Sequence, residues 1–417
     1  MQLVSKTIQG LRQDFFGRFE TGIWVLTGVH LLSSISFAIC LPFLALYLYQ
    51  IRGLSMTLVG IVMVIAGLCG AASQVMGGWL SDKFGRRPVL VVSVGIRILF
   101  FSGLAVLIGV SAPTWAIIVI YTAGRAAGAA VRPITSAMVA DLSPKERLTE
   151  TYGLLRIGGN LGFAAGPALG GYLATFLPYA WLFGVAALVS ILTFCLILFF
   201  VRESLHDATG QVDLRSMFSV ATDRAFMIFI GISLLLFLGA SQLMSTLSVF
   251  TVDRMGFSTA QYGLLLTTNG LIVVLFQYQV ARGITRLAKP TALILGCIIY
   301  GFGYLSLGWI ESFTWALVAI AITTVGEIIF SPTALSVVGE LSPRDRRGRY
   351  MGFFGLSEML GISGGPLVGG VLLDAFPTDA RPIWGTIASL SFASAAAYYL
   401  WGRSRRTTSS MKIGTSA

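Results

Sequence analysis

The chain has 417 residues, of which 55% are hydrophobic and only 11% are charged, and its formal net charge is +11. This composition excludes an ordinary soluble domain, in which about a quarter of the residues are charged, and is typical of a polytopic membrane protein.

Twelve apolar stretches follow one another along the chain, each long enough to cross a hydrocarbon core of about 30 Å as a helix. They span residues 21–49, 55–79, 89–110, 114–139, 149–176, 178–201, 226–250, 258–281, 291–310, 313–338, 349–374 and 382–402. No cleaved signal peptide is expected before the first stretch, because its apolar run is too long and lacks a small-residue cleavage site. We therefore predict an all-α membrane protein with twelve transmembrane helices.

The Lys and Arg residues outside these stretches or at their ends fall on alternate loops. Segments on one side carry 22 of them, whereas the loops on the other side carry only Arg52, Arg254 and Arg381. The positive-inside rule places the basic segments, including both termini, in the cytoplasm. The basic excess is therefore topological, no nucleic-acid partner is expected, and the expected location is an inner or plasma membrane.

A comparison of the chain with itself reveals an internal repeat. At a shift of 199 residues, the segment 140–178 matches 339–377 with thirteen identities, and "ADLSPKER" faces "GELSPRDR". The repeat predicts two six-helix bundles, 1–201 and 226–417, joined by a cytoplasmic linker at 202–225. Repeats of this kind are used by transporters that bind the substrate between the two halves at mid-depth.

A charged stretch, "GGWLSDKFGRRP" at 77–88, separates the second and third apolar spans. Its glycines allow a tight turn, and its arginines suit the anionic inner surface of a membrane. The stretch resembles the signature of the loop between helices two and three in the major facilitator superfamily. The resemblance implies a cytoplasmic gate with Asp82 as its charged partner; the other signature residues are Gly78, Gly85, Arg86 and Arg87. The corresponding loop of the second half, "QYQVARGITRLAKP", has no acid, so no equivalent acid-based latch is expected there.

Two further motifs lie in the fourth and fifth spans. The run "GFAAGPALGG" at 162–171 is similar to the helix-five signature of drug/proton antiporters in that superfamily, and "RAAG" at 125–128 is similar to their helix-four motif. Small residues at four-residue spacing favour close helix packing, and a proline within a helix allows a bend. The hinge and packing residues are Gly162, Gly166, Pro167, Gly170 and Gly171.

Ionisable residues inside the spans are the sharpest functional signal, because each costs about 2.5 to 3.5 kcal/mol at mid-bilayer. The acids are Glu327 and Glu358, and neither has an acid at the repeat-related position, which argues for a function. A carboxyl group in a poorly solvated cavity holds a proton more readily than one in water, and a nearby cation opposes this. We predict that Glu327 or Glu358 carries a coupling proton, and the resemblance implies that Arg125 modulates it; a static buried ion pair is the alternative.

Other polar residues in the spans are candidates for a central cavity. These are Arg132, Arg156, Asn160, Gln242 and Asn269. Arg125 and Arg132 are seven residues apart, which places them on nearly the same helical face. Arg97 is left out, because Ser93 offers a polar path along which its side chain can reach the surface. Hydrogen bonding between helices is an equally good explanation for Gln242 and Asn269.

Together these observations predict a secondary transporter that works by alternating access and exports amphipathic or drug-like molecules against protons. One alternative is a transporter or exchanger of an anionic metabolite or lipid headgroup that uses Arg125, Arg132 and Arg156; a non-transporting membrane receptor is another. Neither a catalytic cluster nor a phosphate-binding loop is present in the sequence, and four scattered cysteines indicate buried thiols. We expect no enzyme activity, no metal and no cofactor, with substrate, protons and lipids as partners of a monomer.

Overall fold

The computed structural model describes residues 19–144, 147–204, 219–284, 286–343 and 346–414. Twelve long helices make up these residues. They are α1 (Thr21–Ile51), α2 (Met56–Phe84), α3 (Arg86–Gly109), α4 (Thr114–Leu142), α5 (Leu148–Phe176), α6 (Tyr179–Phe200), α7 (Arg224–Arg254), α8 (Thr259–Ile284), α9 (Lys289–Leu307), α10 (Phe313–Leu341), α11 (Arg347–Ala375) and α12 (Ala380–Gly414).

The predicted twelve-helix membrane fold is confirmed. Ten of the helices in the described residues are long and apolar enough to cross a membrane; α5 and α12 are the two that fall outside this group. Glycines, Asn160 and Pro167 lower the mean hydropathy of α5, and Ser, Thr, Tyr and Trp residues within the apolar part of α12 lower that of α12. The helices α2 and α12 run beyond the predicted ends at 79 and 402, because polar residues at a membrane surface continue a helix as readily as apolar ones.

Several helices begin at residues whose chemistry suits a helix start. Ser55, Asp223 and Ser312 precede α2, α7 and α10, and each side chain accepts a hydrogen bond from a backbone N–H of the first turn. Prolines stand directly before α4 and α6. The turn between α2 and α3 consists of Gly85 alone, with φ of +96°, a conformation that residues with a Cβ rarely adopt.

Helix α7 is interrupted at Ser241–Leu243, and the carbonyl groups freed by the break are bonded by side chains. The Gln242 amide donates to the Leu238 carbonyl at 2.7 Å and, across to α11, to the Gly365 carbonyl at 2.9 Å. Tyr262 donates to the Leu243 carbonyl at 3.0 Å. These bonds satisfy polar backbone groups that have no water available in a bilayer.

The helices form two groups by their packing. The first helix group contains α1 to α6 and the second contains α7 to α12; within them, α1 packs on α5 and α6, and α9 packs on α10 and α12. The two groups meet chiefly through α2 against α11 and α5 against α8. We call these two helix pairs the seam. The predicted boundaries of the two bundles and the linker remain predictions, since most of the linker lies outside the described residues.

Candidate functional site

The first seam pair closes at the end of the molecule that carries the turn at Gly53, which we call the Gly53 end. Asp374, at the end of α11, accepts hydrogen bonds from the backbone N–H groups of Met56 and Thr57 at 3.0 and 2.8 Å. Its carboxylate also accepts from the Thr57 hydroxyl at 2.6 Å. A carboxylate of one helix group thus caps the start of α2 in the other group.

The second seam pair closes through backbone contact between α5 and α8. The Thr267 hydroxyl donates to the Ala164 carbonyl at 2.8 Å, and the Thr259 hydroxyl donates to the Gly171 carbonyl at 3.1 Å. Gly263 lies directly against the Pro167 carbonyl. The motif in α5 therefore supplies the surface on which α8 packs.

The remaining glycines of the α5 motif face the other way, toward α1. A Cβ at Gly162, Gly166 or Gly170 would overlap the backbone or side chains of α1. The motif therefore has two packed faces, one within the first helix group and one across the seam.

The hydrogen bonds that cross between the groups lie from the Gly53 end to the middle of the helices, where Thr267 meets Ala164. The opposite end carries Gly85 and the Lys and Arg residues of the basic loops. Toward this end, the side chains of Arg132 and Arg156 are exposed. We call this the Gly85 end. The structure therefore describes a state that is closed at the Gly53 end.

Glu327, halfway along α10, is the centre of a polar cluster at mid-length. The Asn269 amide nitrogen lies 2.9 Å from its carboxylate and 2.9 Å from the Thr324 hydroxyl. Arg156 of the first helix group and Glu358 of α11 are close enough to act electrostatically on Glu327. Two acids of the second helix group thus face an arginine of the first. We call these five residues the Glu327 cluster.

The structure brings together some of the predicted cavity residues and separates others. Asn269 and Arg156 join the Glu327 cluster, and Asn160 is half-buried one turn along α5 from Arg156. Gln242 is fully buried, and both its amide nitrogen and its oxygen are hydrogen-bonded, the oxygen to the Thr246 hydroxyl. It lies in the packing of the broken helix α7 and not on a cavity surface, which corrects its predicted position.

Arg125 lies apart from the Glu327 cluster. Its guanidinium stacks on the Phe37 ring, 5.8 Å from the ring centroid, inside the first helix group. Arg132 is exposed, nearer the Gly85 end of α4, and a one-residue turn at Ala130 lies between the two arginines. Arg132 lies near His30 of α1, on which its charge acts.

Arg97, which the sequence analysis left out, is one of the largest fully buried side chains, with an exposed fraction of 1%. Its guanidinium also stacks on Phe37, at 5.8 Å. The expected route to the surface past Ser93 is therefore wrong. The useful signal was the position of Arg97 on α3, nine residues from Pro88, which places it about as deep in the bilayer as Arg132.

The charged stretch between α2 and α3 contacts acids that the sequence analysis did not identify. Arg86 pairs with Asp141 of α4 at 2.6 Å, and its bond to Asp82 is long, at 3.8 Å. Glu203, after α6, accepts from the backbone N–H groups of Arg86 and Arg87 at 3.0 Å each. These contacts stay within the first helix group, and a Cβ at Gly78 would contact nothing within 4 Å. The gating role of Asp82 remains a prediction.

The second helix group has a related ion pair, although its loop carries no acid. Lys289 pairs with Glu340 of α10 at 2.5 Å. Glu340 stands 199 residues after Asp141, at the repeat-related position. The acid of this pair comes from a neighbouring helix and not from the loop, and the expectation that this half has no equivalent latch stays a prediction. Both side chains are substantially exposed, so the pair contributes little to stability.

A bundle of twelve membrane helices in two groups, closed at one end and carrying opposed charges at mid-length, defines an integral membrane transporter. The chain belongs to the Major Facilitator Superfamily, whose profile matches residues 26–338 and 256–415.

Comparisons with individual proteins agree with this assignment. The chain is 26% identical over 336 residues to the class B tetracycline resistance protein of Escherichia coli, covering 77% of this chain and 80% of that protein. It is 25% identical over 359 residues to the Na(+), Li(+), K(+)/H(+) antiporter of Planococcus maritimus, covering 78% and 83%. The crystal structure of the nucleoside transporter NupG shares the fold, with a TM-score of 0.77, 14% identity and coverage of 92% and 99%.

Proposed function

We propose that this transporter exports amphipathic or drug-like small molecules in exchange for protons, by alternating access. The observation that carries the proposal is the Glu327 cluster, in which carboxyl groups of one helix group face a cation of the other. A relative movement of the groups changes the distance between these charges and so changes how readily Glu327 holds a proton. Proton binding is thereby linked to the direction in which the cavity opens.

The charge distribution supports an orientation. The Gly85 end carries the basic loops, so we assign it to the cytoplasm, with both termini on that side. The described state is then the one that receives substrate from the cytoplasm. The similarity to a tetracycline resistance protein supports export. The similarity to a cation/proton antiporter supports proton coupling.

Exchange of an anionic metabolite through Arg125, Arg132 and Arg156 has less support. The three arginines do not form one site, because Arg125 is enclosed in the first helix group and only Arg156 joins the Glu327 cluster. Exchange of Na⁺ or K⁺ is a second candidate, because the cluster offers two carboxylates, an amide oxygen and a hydroxyl, the oxygen ligands that hard cations prefer.

Proton flux in reconstituted liposomes tests the proposal. We would load a pH dye inside, add cationic, neutral and anionic amphiphiles and then Na⁺ or K⁺, and compare wild type with Glu327→Gln and Glu358→Gln. Glu311→Gln is the matched control, because Glu311 is exposed in the loop before α10. We expect substrate-driven flux to fall by about 100-fold or more in Glu327→Gln, the size typical of a lost proton-transfer group.

The alternatives give distinct results in the same assay. Undiminished flux in both glutamine variants would overturn the assignment of the proton to the Glu327 cluster. Flux driven by Na⁺ or K⁺ alone would favour cation exchange, and flux driven by anionic amphiphiles alone would favour the arginine-based alternative.

A further inference from the structure

The first helix group encloses a small pocket that the proposed transport cycle does not use. It lies among α1, α3, α4 and α6 and is lined by Phe37, Arg97, Phe101, Tyr121, Arg125 and Phe183, with further apolar side chains. Apart from the two arginines and Tyr121, the lining named here is aromatic hydrocarbon. The pocket therefore concentrates positive charge in an apolar enclosure.

The Arg97 guanidinium in this pocket has unmet hydrogen-bonding capacity. All three of its nitrogens are buried and have no hydrogen-bond partner in the part of the chain that the structure describes. The same holds for Nε of Arg125. A buried guanidinium without partners is strongly destabilising, and stacking on an aromatic ring compensates only part of the loss. The pocket therefore requires a further hydrogen-bond acceptor.

An anion suits the pocket better than a carboxylate of the chain or a neutral solvent molecule. None of the ion pairs between described residues involves Arg97 or Arg125. Both guanidinium groups lie against the Phe37 ring, each 5.8 Å from its centroid, and both residues line the pocket. An anion would neutralise the buried charge of Arg97 and accept hydrogen bonds from its guanidinium, whereas a water molecule would accept hydrogen bonds without neutralising the charge.

The size of the pocket restricts the class of anion. The cavity volume is about 20 Å³, and about 10–15 Å³ is enough for one water molecule. A halide ion, only slightly larger than water, fits this space, whereas a metabolite carboxylate or a lipid headgroup does not. Gly124 and Gly128 of α4 help to create the room, because a Cβ at either would overlap Phe100 or Phe37.

We propose that this pocket binds, against the Arg97 guanidinium, a single chloride ion or another monovalent anion of similar size. The ion joins α1, α3 and α4 inside the first helix group and stabilises their packing. This site is separate from the Glu327 cluster and independent of the transported substrate. It predicts a protein whose stability depends on the kind of anion in the buffer and not only on ionic strength.

Binding to the wild-type protein is the primary test. The protein is purified in sodium gluconate, and radioactive chloride binding is then measured by equilibrium dialysis in detergent. We expect saturable binding of one ion per chain, competition by bromide and none by gluconate. Replacing gluconate with chloride at constant ionic strength should raise the unfolding temperature by about 1–2 °C at about ten times the dissociation constant. Absence of saturable binding, with equal unfolding temperatures in both salts, would overturn the proposal and leave water as the occupant.

Variants identify the position of the site. Arg97→Met removes one guanidinium and should abolish both chloride binding and the chloride-dependent rise in unfolding temperature. Arg381→Met is the matched control and should leave both unchanged, because Arg381 is exposed in the first turn of α12. Chloride binding that persists in Arg97→Met would refute this location. If Arg97→Met does not fold, the dialysis measurement on the wild type still decides whether the ion binds.

Discussion

Asp374 offers the most direct test of how the two helix groups are held together. It extends from the end of α11 and accepts three hydrogen bonds from Met56 and Thr57 at the start of α2. Asp374→Asn preserves the shape of the side chain but removes its charge and turns one acceptor into a donor that faces backbone N–H groups. The substitution should weaken closure at the Gly53 end without disturbing the interior of either helix group.

The expected magnitude follows from the contacts. A lost N-terminal cap costs about 0.5–2 kcal/mol, and removal of a favourable charge at a helix start costs about 0.3–1 kcal/mol. The hydrogen bonds to Thr57 are exposed, so solvent screens part of the charge effect. A total of about 1–2 kcal/mol corresponds to a shift of roughly 5- to 30-fold toward the state open at the Gly53 end.

Spin-label distances would measure this shift. Labels at Val110 and Glu311, both exposed in loops at the Gly53 end, report the separation of the first helix group from the second. The native cysteines are replaced beforehand. Asp379→Asn is the matched control, because among the described residues Asp379 accepts a local hydrogen bond, from the backbone N–H of Arg381 at 3.0 Å. A distance distribution for Asp374→Asn that matches the wild type would refute the reasoning, since the capping bonds would then contribute nothing to closure.

Two further predictions concern glycines at defined contacts. Gly263→Val should separate α5 from α8 and reduce transport, because its side chain would overlap the Pro167 carbonyl. Gly231→Val is the control and should transport normally, because a Cβ at this position meets nothing within 4 Å. Equal transport activity of the two variants would contradict a packed seam. Gly85→Ala should lower the unfolding temperature, because a Cβ at φ of +96° costs about 1–3 kcal/mol. A fall of similar size in Gly283→Ala, at an open position of α8, would show that the conformation of the turn is not responsible.

The membrane fold could be predicted from the sequence because its signals are local. The length of an apolar stretch is matched to the thickness of the bilayer, and the fold therefore follows from counting such stretches. The internal repeat added the division into two sets of six spans, including the fifth span, whose glycines weaken its apolar signal. Glu327 could be identified in the same way, because a lone acid in an apolar helix is costly wherever that helix packs.

The partners of these residues were decided by tertiary structure. Whether Gln242 faces a cavity depends on the break in α7, whose free carbonyls it bonds. Likewise Arg125 is half-buried against Phe37 whereas Arg132 is exposed, although a seven-residue spacing places them on nearly the same helical face.

The sequence by itself determined that this protein crosses the membrane many times, repeats its plan and places acids and arginines within its spans. Only the tertiary structure decided that Arg97 is enclosed beside Arg125 and that Glu327 faces Arg156 across the two groups. The physical reason is that every helix meets the same bilayer, so its apolar length can be read from the sequence alone. The pairing of charges depends instead on which helices pack together and in what orientation.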